Sequence, residues 1–271
     1  MKKALGTGQQ EDSSRLKGVT EGSIRFSMMK RQRNGIISEE PQEKKNVYEG
    51  AAVKKFIELS HILEDGMMAY PGLPRPKIGA FLDHEASRSR YNDQAEFYLG
   101  KVEMVCNLGT YLDSPFHRYP DGLDLSQIPL ESVAGLPGIV LDGDVSSNRS
   151  ITLQADTSEL DEKAVLIRTG WDKRWGTDGY WEPGPFLSEK LIDRLIRSRV
   201  KLVGVDFWNV DDTMDPTRPV HTRLLASDIL IVEHLCNLSA LPRTGFQFYA
   251  VPLRIVRGAS FPVRAFAEIE E

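Results

Sequence analysis

Ala164-Val165-Leu166-Ile167-Arg168 and Lys201-Leu202-Val203-Gly204-Val205-Asp206 are the two stretches on which the fold turns. Both are short apolar runs suited to buried strands. Between them, Ser188 can cap a helix running to about Ser198, and Leu191, Ile192, Leu195 and Ile196 share one helical face. Working outward, Gly138–Asp142 and Ile229–Glu233 read as further buried strands, and Val220 to Ser227 as a second helix. Phe56–Ser60 reads as a first strand and Phe97–Asn107 as one with mixed faces. Phe248–Val256 and Pro262–Glu268 close the chain as strands. Tyr70–Pro76 holds three prolines and a glycine and is turn. Strands dominate, with two or three helices inserted, which is an α/β pattern.

The densest chemistry lies in Asn107-Leu108-Gly109-Thr110-Tyr111-Leu112-Asp113-Ser114-Pro115-Phe116-His117. Gly109 permits a tight or left-handed turn. Pro115 fixes the chain between an acid and a base four residues apart, so that both can face one cavity.

This segment resembles the signature of the cyclase family of metal-dependent hydrolases, H-x-G-T-H-x-D-x-P-x-H, with Gly109, Thr110, Asp113, Pro115 and His117 in register. Leu59–Leu63 with Tyr70-Pro71-Gly72, Leu166–Asp172, and Val203–Asp206 followed by His221 and Glu233 agree in order. The resemblance spans about Phe56 to Glu268. It implies a mixed β/α single domain around a small β-barrel-like core, assembling as a homodimer or homotetramer. It also implies a zinc or manganese site, with Asp113, His221 and Glu233 as ligands and His117 as the acid/base. The activity implied is hydrolysis of a small amide, lactam or ester, as in an arylformamidase.

Asn107 and Tyr111 stand where the signature has its first two histidines. Asparagine offers only a carbonyl oxygen, and tyrosine binds metal well only as phenolate, with a pKa of about 10. Asp113, His221 and Glu233 remain, enough for one divalent ion. Without an ion, the two carboxylates, His117 and the Tyr111 hydroxyl form an acid/base set. That set suits a metal-independent cyclase, lyase or isomerase. A non-catalytic homologue that binds a ligand or partner is the third reading.

Asn107, Trp171 and Trp208 are candidate substrate-binding residues. Trp175, Tyr180 and Trp181 join Trp171 in a Gly-rich stretch that can wall a planar substrate or pack internally. His61 reads as a satisfied structural histidine, and His84 and His234 as surface or packing residues. Cys106 is expected to be buried and inert. Arg168 and Arg223 are expected at the surface. No Gly-x-Ser-x-Gly elbow and no phosphate loop occurs.

Composition frames these readings. The 271 residues are 41% hydrophobic and 27% charged, ample for a sizeable core. Residues 1–51 read as a flexible arm and 52–271 as the domain. The first 50 residues carry a net charge of +3 against −8 for the rest, and include the cluster Lys30-Arg31-Gln32-Arg33. Two cysteines, Cys106 and Cys236, exclude a disulfide framework. No apolar run approaches about 20 residues. The net charge of −5 argues against a nucleic-acid binder. A cytoplasmic enzyme with a small-molecule substrate, and neither nucleic-acid nor membrane partners, is the expectation.

Overall fold

A computed structural model describes residues 53–145, 148–152 and 159–270. The arm over 1–51 and its basic cluster lie outside the described residues. The strands are β1 (Lys54–Glu58), β2 (Lys77–Leu82), β3 (Leu99–Glu103), β4 (Tyr111–Asp113), β5 (Leu136–Asp142), β6 (Ser150–Ile151), β7 (Ala164–Arg168), β8 (Phe186–Leu187), β9 (Leu202–Val205), β10 (Leu230–Glu233), β11 (Phe246–Tyr249), β12 (Ser260–Pro262) and β13 (Phe266–Glu270). The α-helices are α1 (His84–Arg88), α2 (Glu189–Arg197) and α3 (Pro219–Leu225).

Nine strands form one mixed sheet in the order β1-β13-β11-β5-β7-β9-β10-β4-β12. The central β5, β7, β9 and β10 run parallel, and the flanking pairs are antiparallel. The apolar runs make sense there, because a parallel strand is covered on both faces. Alternation divides their side chains between two cores. Val165, Ile167, Val203, Val205 and Ile231 pack against Leu191, Ile192 and Leu195 of α2 and Val220 and Leu224 of α3. Leu166, Leu202, Leu230 and Val232 face the other way, into a core shared with Leu112 of β4, Phe248 of β11 and Ala267 of β13. Strands from opposite ends of the sheet meet in that core, so the sheet curls around it, as the barrel-like expectation requires.

Helix α2 starts where the capping signal places it: Ser188 Oγ accepts from Leu191 N at 3.3 Å, and Glu189 fills the first turn. Close packing fixes Gly138 on β5. A Cβ there would lie 2.0 Å from Phe246 Cε2 on β11.

Three strand expectations need correction. The strand read over Phe97–Asn107 is only Leu99–Glu103, paired with β2 in a separate exposed two-stranded ribbon. The strand read to Val256 ends at Tyr249, because β5 pairs only with Gln247 and Phe248, and Pro252 has no N–H to donate. Pro262–Glu268 is two strands, not one: β12 pairs with β4 at one edge, while β13 pairs with β11 and β1 near the other. The crossing is held by Ser60, whose Oγ donates to Val263 O at 3.0 Å and accepts from Ala265 N at 2.6 Å.

Candidate active site

The register of β4 against β10 builds the site. Tyr111 lies opposite Glu233, and Asp113 opposite Ile231. Leu112 faces the curled core, so Tyr111 and Asp113 project to the helix-bearing face, as do Ile231 and Glu233. Gly109, at φ +61°, turns the chain into β4, and a Cβ there would meet Leu63 Cδ2 at 2.4 Å. Helix α3 brings His221 over this face. A short 3₁₀ turn, Pro115–His117, returns His117 beside Asp113.

Asp113, His221 and Glu233 are all buried. His221 Nε2 lies 3.7 Å from both Asp113 Oδ2 and Glu233 Oε1, beyond hydrogen-bond length. Asp113, His117 and His221 each offer a ligand atom within 4.8 Å of one another. Asp113 Oδ1 accepts a short hydrogen bond from Ser260 Oγ and a longer one, 3.4 Å, from Asn107 Nδ2. Its Oδ2 is buried without a partner. Glu233 Oε2 accepts a short bond from the Tyr111 hydroxyl, and Oε1 accepts from Val210 N at 2.7 Å. His117 is the open member, its side chain 34% exposed.

Two residues that sequence reasoning missed complete the cluster. Asp211, 2% exposed, accepts from Val220 N at 2.6 Å, from His221 N at 3.2 Å and from His221 Nδ1 at 2.6 Å. It caps α3 and orients its histidine with one carboxylate. No local capping signal marks it, because Asp211 lies eight residues before Pro219 and the N-cap position itself is Arg218. Ser260 binds Asp113 and sits 3.2 Å from His117 Nδ1. No local motif marks it; β12 reaches β4 only through the fold.

Electrostatics follow from this burial. It opposes charge on His221, but Asp113, Asp211 and Glu233 together raise its pKa to about 10. Burial pushes Glu233 up to about 7, with His221 pulling the other way. Burial likewise works against charge on Asp113, yet His117, His221 and Ser260 hold its carboxyl below the usual range. The Tyr111 phenol is driven well above its ordinary value, first by burial and then by Glu233 and Asp113.

The donor set suits a divalent cation. Three carboxylates surround one imidazole, and the buried, unpartnered Asp113 Oδ2 faces its Nε2. Asp211 on Nδ1 reproduces the carboxylate–histidine arrangement common behind metal ligands.

The other candidates spread outward from this centre. Trp208 is buried, donates Nε1 to Glu182 O at 3.0 Å, and lies edge-on to Tyr70 and near Trp181. Trp171 donates Nε1 to Tyr180 O at 3.0 Å, and its ring carries Arg174 at 3.9 Å. Trp175, Tyr180 and Trp181 pack around His234, which in turn touches the Tyr111 ring. His234 is buried and contacts the Tyr180 hydroxyl through Nδ1 at 2.8 Å. A cavity of about 620 Å³ opens beside this layer, walled by His61, Met67, Met68, Arg75, Trp175 and Trp181 among others. His61 stacks on Trp175 at 3.8 Å, but its Nε2 is buried without a partner, so it is not the satisfied histidine expected. Cys106 is exposed rather than buried, because the chain has already left the β2–β3 ribbon there. Arg168 and Arg223 form ion pairs with Asp142 and Asp193.

Comparison with known proteins agrees with this reading. Residues 57–212 match the family described as Putative cyclase. The kynurenine formamidase of Erythrobacter litoralis is 28% identical over 180 residues, 65% of this chain and 79% of that protein. That of Bacillus cytotoxicus is 28% identical over 214 residues, 78% of this chain and 96% of that protein. Among solved structures, isatin hydrolase A from Labrenzia aggregata, bound to benzyl benzoate, superposes with a TM-score of 0.68 at 23% identity. That match covers 80% of this chain and 94% of that one. With the signature segment, the curled mixed sheet and the matched span in agreement, the chain belongs to the cyclase family.

Proposed function

We propose that this chain hydrolyses the acyl C–N bond of a small amide or lactam, or the corresponding ester, in the manner of an arylformamidase. Zinc or manganese would be held by Asp113, His221 and Glu233. The observation that carries the reading is the buried, unpartnered Asp113 Oδ2 facing His221 Nε2, with His117 at the open side. The ion, when bound, supplies Lewis acidity to the substrate carbonyl and acidifies water.

The chain's own residues supply the proton chemistry. Ser260 Oγ spends its hydrogen on Asp113, so toward His117 it acts as acceptor. His117 therefore carries its proton on Nδ1, and Nε2 is the basic nitrogen. It takes a proton from the water whose oxygen attacks the carbonyl carbon. It returns that proton to the nitrogen as the C–N bond breaks, giving a carboxylic acid and an amine. Tyr111 and Asn107 hold Glu233 and Asp113 in place. An aryl substituent is assigned to the cavity walled by Trp175 and Trp181, the two rings that pack on His234, with Trp208 against Trp181 and Trp171 bonded to Tyr180 O behind them.

Turnover of an aryl formamide, a lactam such as isatin, and an aryl ester tests the reading. Activity should be lost on chelation and fall about 10²–10⁴-fold in His117→Ala. Turnover untouched by both changes would overturn it. A homodimer or homotetramer is proposed as well, supported by the exposed Phe81, Phe97, Leu99 and Val102 on and beside the β2–β3 ribbon. A monomeric mass by light scattering would refute that. The free, exposed Cys106 thiol supports a cytoplasmic site of action. Among the described residues, no helix is long and apolar enough to cross a membrane.

A further inference from the structure

Asp113, Glu233, His221 and His117 carry eight oxygen and nitrogen atoms able to act as ligands, and hydrogen bonds already hold five of them. Asp113 Oδ1 is occupied by Ser260 and Asn107, and Glu233 Oε2 by Tyr111. His221 Nδ1 is occupied by Asp211, and His117 Nδ1 by Ser260. What still faces inward is Asp113 Oδ2, His221 Nε2 and Glu233 Oε1, which lies 3.7 Å from that nitrogen while also accepting from Val210 N, whereas Oε2 points to Tyr111; His117 Nε2 is left for proton transfer. That is a set for one ion. Two ions roughly 3.5–4 Å apart need further ligand atoms, and the second oxygen of a site carboxylate is the nearest source. Neither Asp113 nor Glu233 has both oxygens open.

Resting on the metal site of the preceding section, we infer that the centre takes a single divalent ion per chain, and that the Tyr111 hydroxyl excludes a second by holding Glu233 Oε2. Tyr111 is thus a positioning residue that sets stoichiometry. Its ring is wedged against His234, so the hydroxyl has little room to swing away from Glu233. Ser260 has the matching role on Asp113, and its second contact, to His117, ties the open side of the centre to the same scaffold.

The test is a Mn²⁺ titration of the full-length, chelator-treated chain, read by elemental analysis after desalting and by electron paramagnetic resonance. One Mn²⁺ per chain with the spectrum of an isolated ion is expected. Two per chain, a spin-coupled pair, or no binding would overturn the inference. Tyr111→His frees Glu233 Oε2 and adds an imidazole nitrogen, so the count should rise to two per chain. A variant with wild-type thermal stability that stays at one refutes the role of Tyr111. Tyr111→Phe removes the anchor without adding a ligand. The single ion should then bind about tenfold more weakly, and unchanged affinity would count against the assignment. The functional reading fails separately: one ion without hydrolysis removes that reading alone, and two ions with hydrolysis removes this inference alone.

Discussion

Asp211 joins the stability of α3 to the chemistry of His221, and two substitutions should pull these apart. Its carboxylate takes hydrogen bonds from Val220 N, His221 N and His221 Nδ1, at 2.6, 3.2 and 2.6 Å. Asp211→Ala removes all three. Loss of a helix cap costs about 1 kcal/mol, and each buried N–H left without a partner costs roughly 1–3 kcal/mol. The terms overlap, so about 3 kcal/mol is expected, a fall in Tm of about 6–12 °C for a domain of this size. The imidazole also loses the group that orients it and raises its basicity, so metal affinity should drop about 10–100-fold. Asp211→Asn is the gentler test. Its one amide oxygen can serve either Val220 N or the His221 pair, but not both, so about 1–2 kcal/mol and roughly tenfold in affinity are expected. The pKa of metal-free His221, near 10 with burial opposed by Asp113, Asp211 and Glu233, should fall as one of those carboxylates goes. Thermal melts, metal titration and an NMR titration of the ring read these three quantities. An Asp211→Ala variant that melts like wild type refutes the capping argument. One that loses stability yet keeps full metal affinity refutes the orienting argument.

Other consequences are simpler to check. Burial lowers His61 to about 4 and His234 to about 3, against about 6.5 in an unfolded chain. The unfolded state therefore binds these protons first, so stability is complete above pH 6.5 and drains as the pH falls toward 4. His61 alone should account for about 3 kcal/mol of that slope, and His61→Gln should flatten it in urea melts run from pH 7 to 4. Gly138→Ala places a methyl group against the Phe246 ring and should cost about 1–3 kcal/mol by overpacking; an unchanged urea midpoint would show that β11 yields. His117→Ala should keep the metal content of the wild type while losing turnover, because its Nδ1 faces Ser260 rather than the ion; loss of metal along with activity would make His117 a ligand.

What the sequence shows and what it hides divide along one physical line. The parallel strands were legible because burial on both faces leaves continuous apolar runs, and Ala164–Arg168 is a strand from end to end. Helix α2 was legible from a capping serine and an apolar stripe, both of which are local. The 250–256 and 262–266 stretches were not. Their apolar residues serve a loop and a crossing between opposite sides of the sheet, and strand propensity carries no record of which partner lies alongside. The site divides in the same way. Asp113 and His117 stand in one readable segment, whereas Ser260, 147 residues from Asp113, reaches it only through strand pairing. The two departures from the signature also change meaning in space. As isolated letters, Asn107 and Tyr111 read as lost ligands. In the fold each donates to a carboxylate that stays, Asn107 to Asp113 and Tyr111 to Glu233. Removing a ligand histidine would ordinarily leave its partner carboxylate short of a cation and costly to bury. A neutral donor in its place keeps the carboxylate satisfied and aimed. In the proposed centre the two residues would thus act together, each supplying a hydrogen bond that holds one of the carboxylates in position.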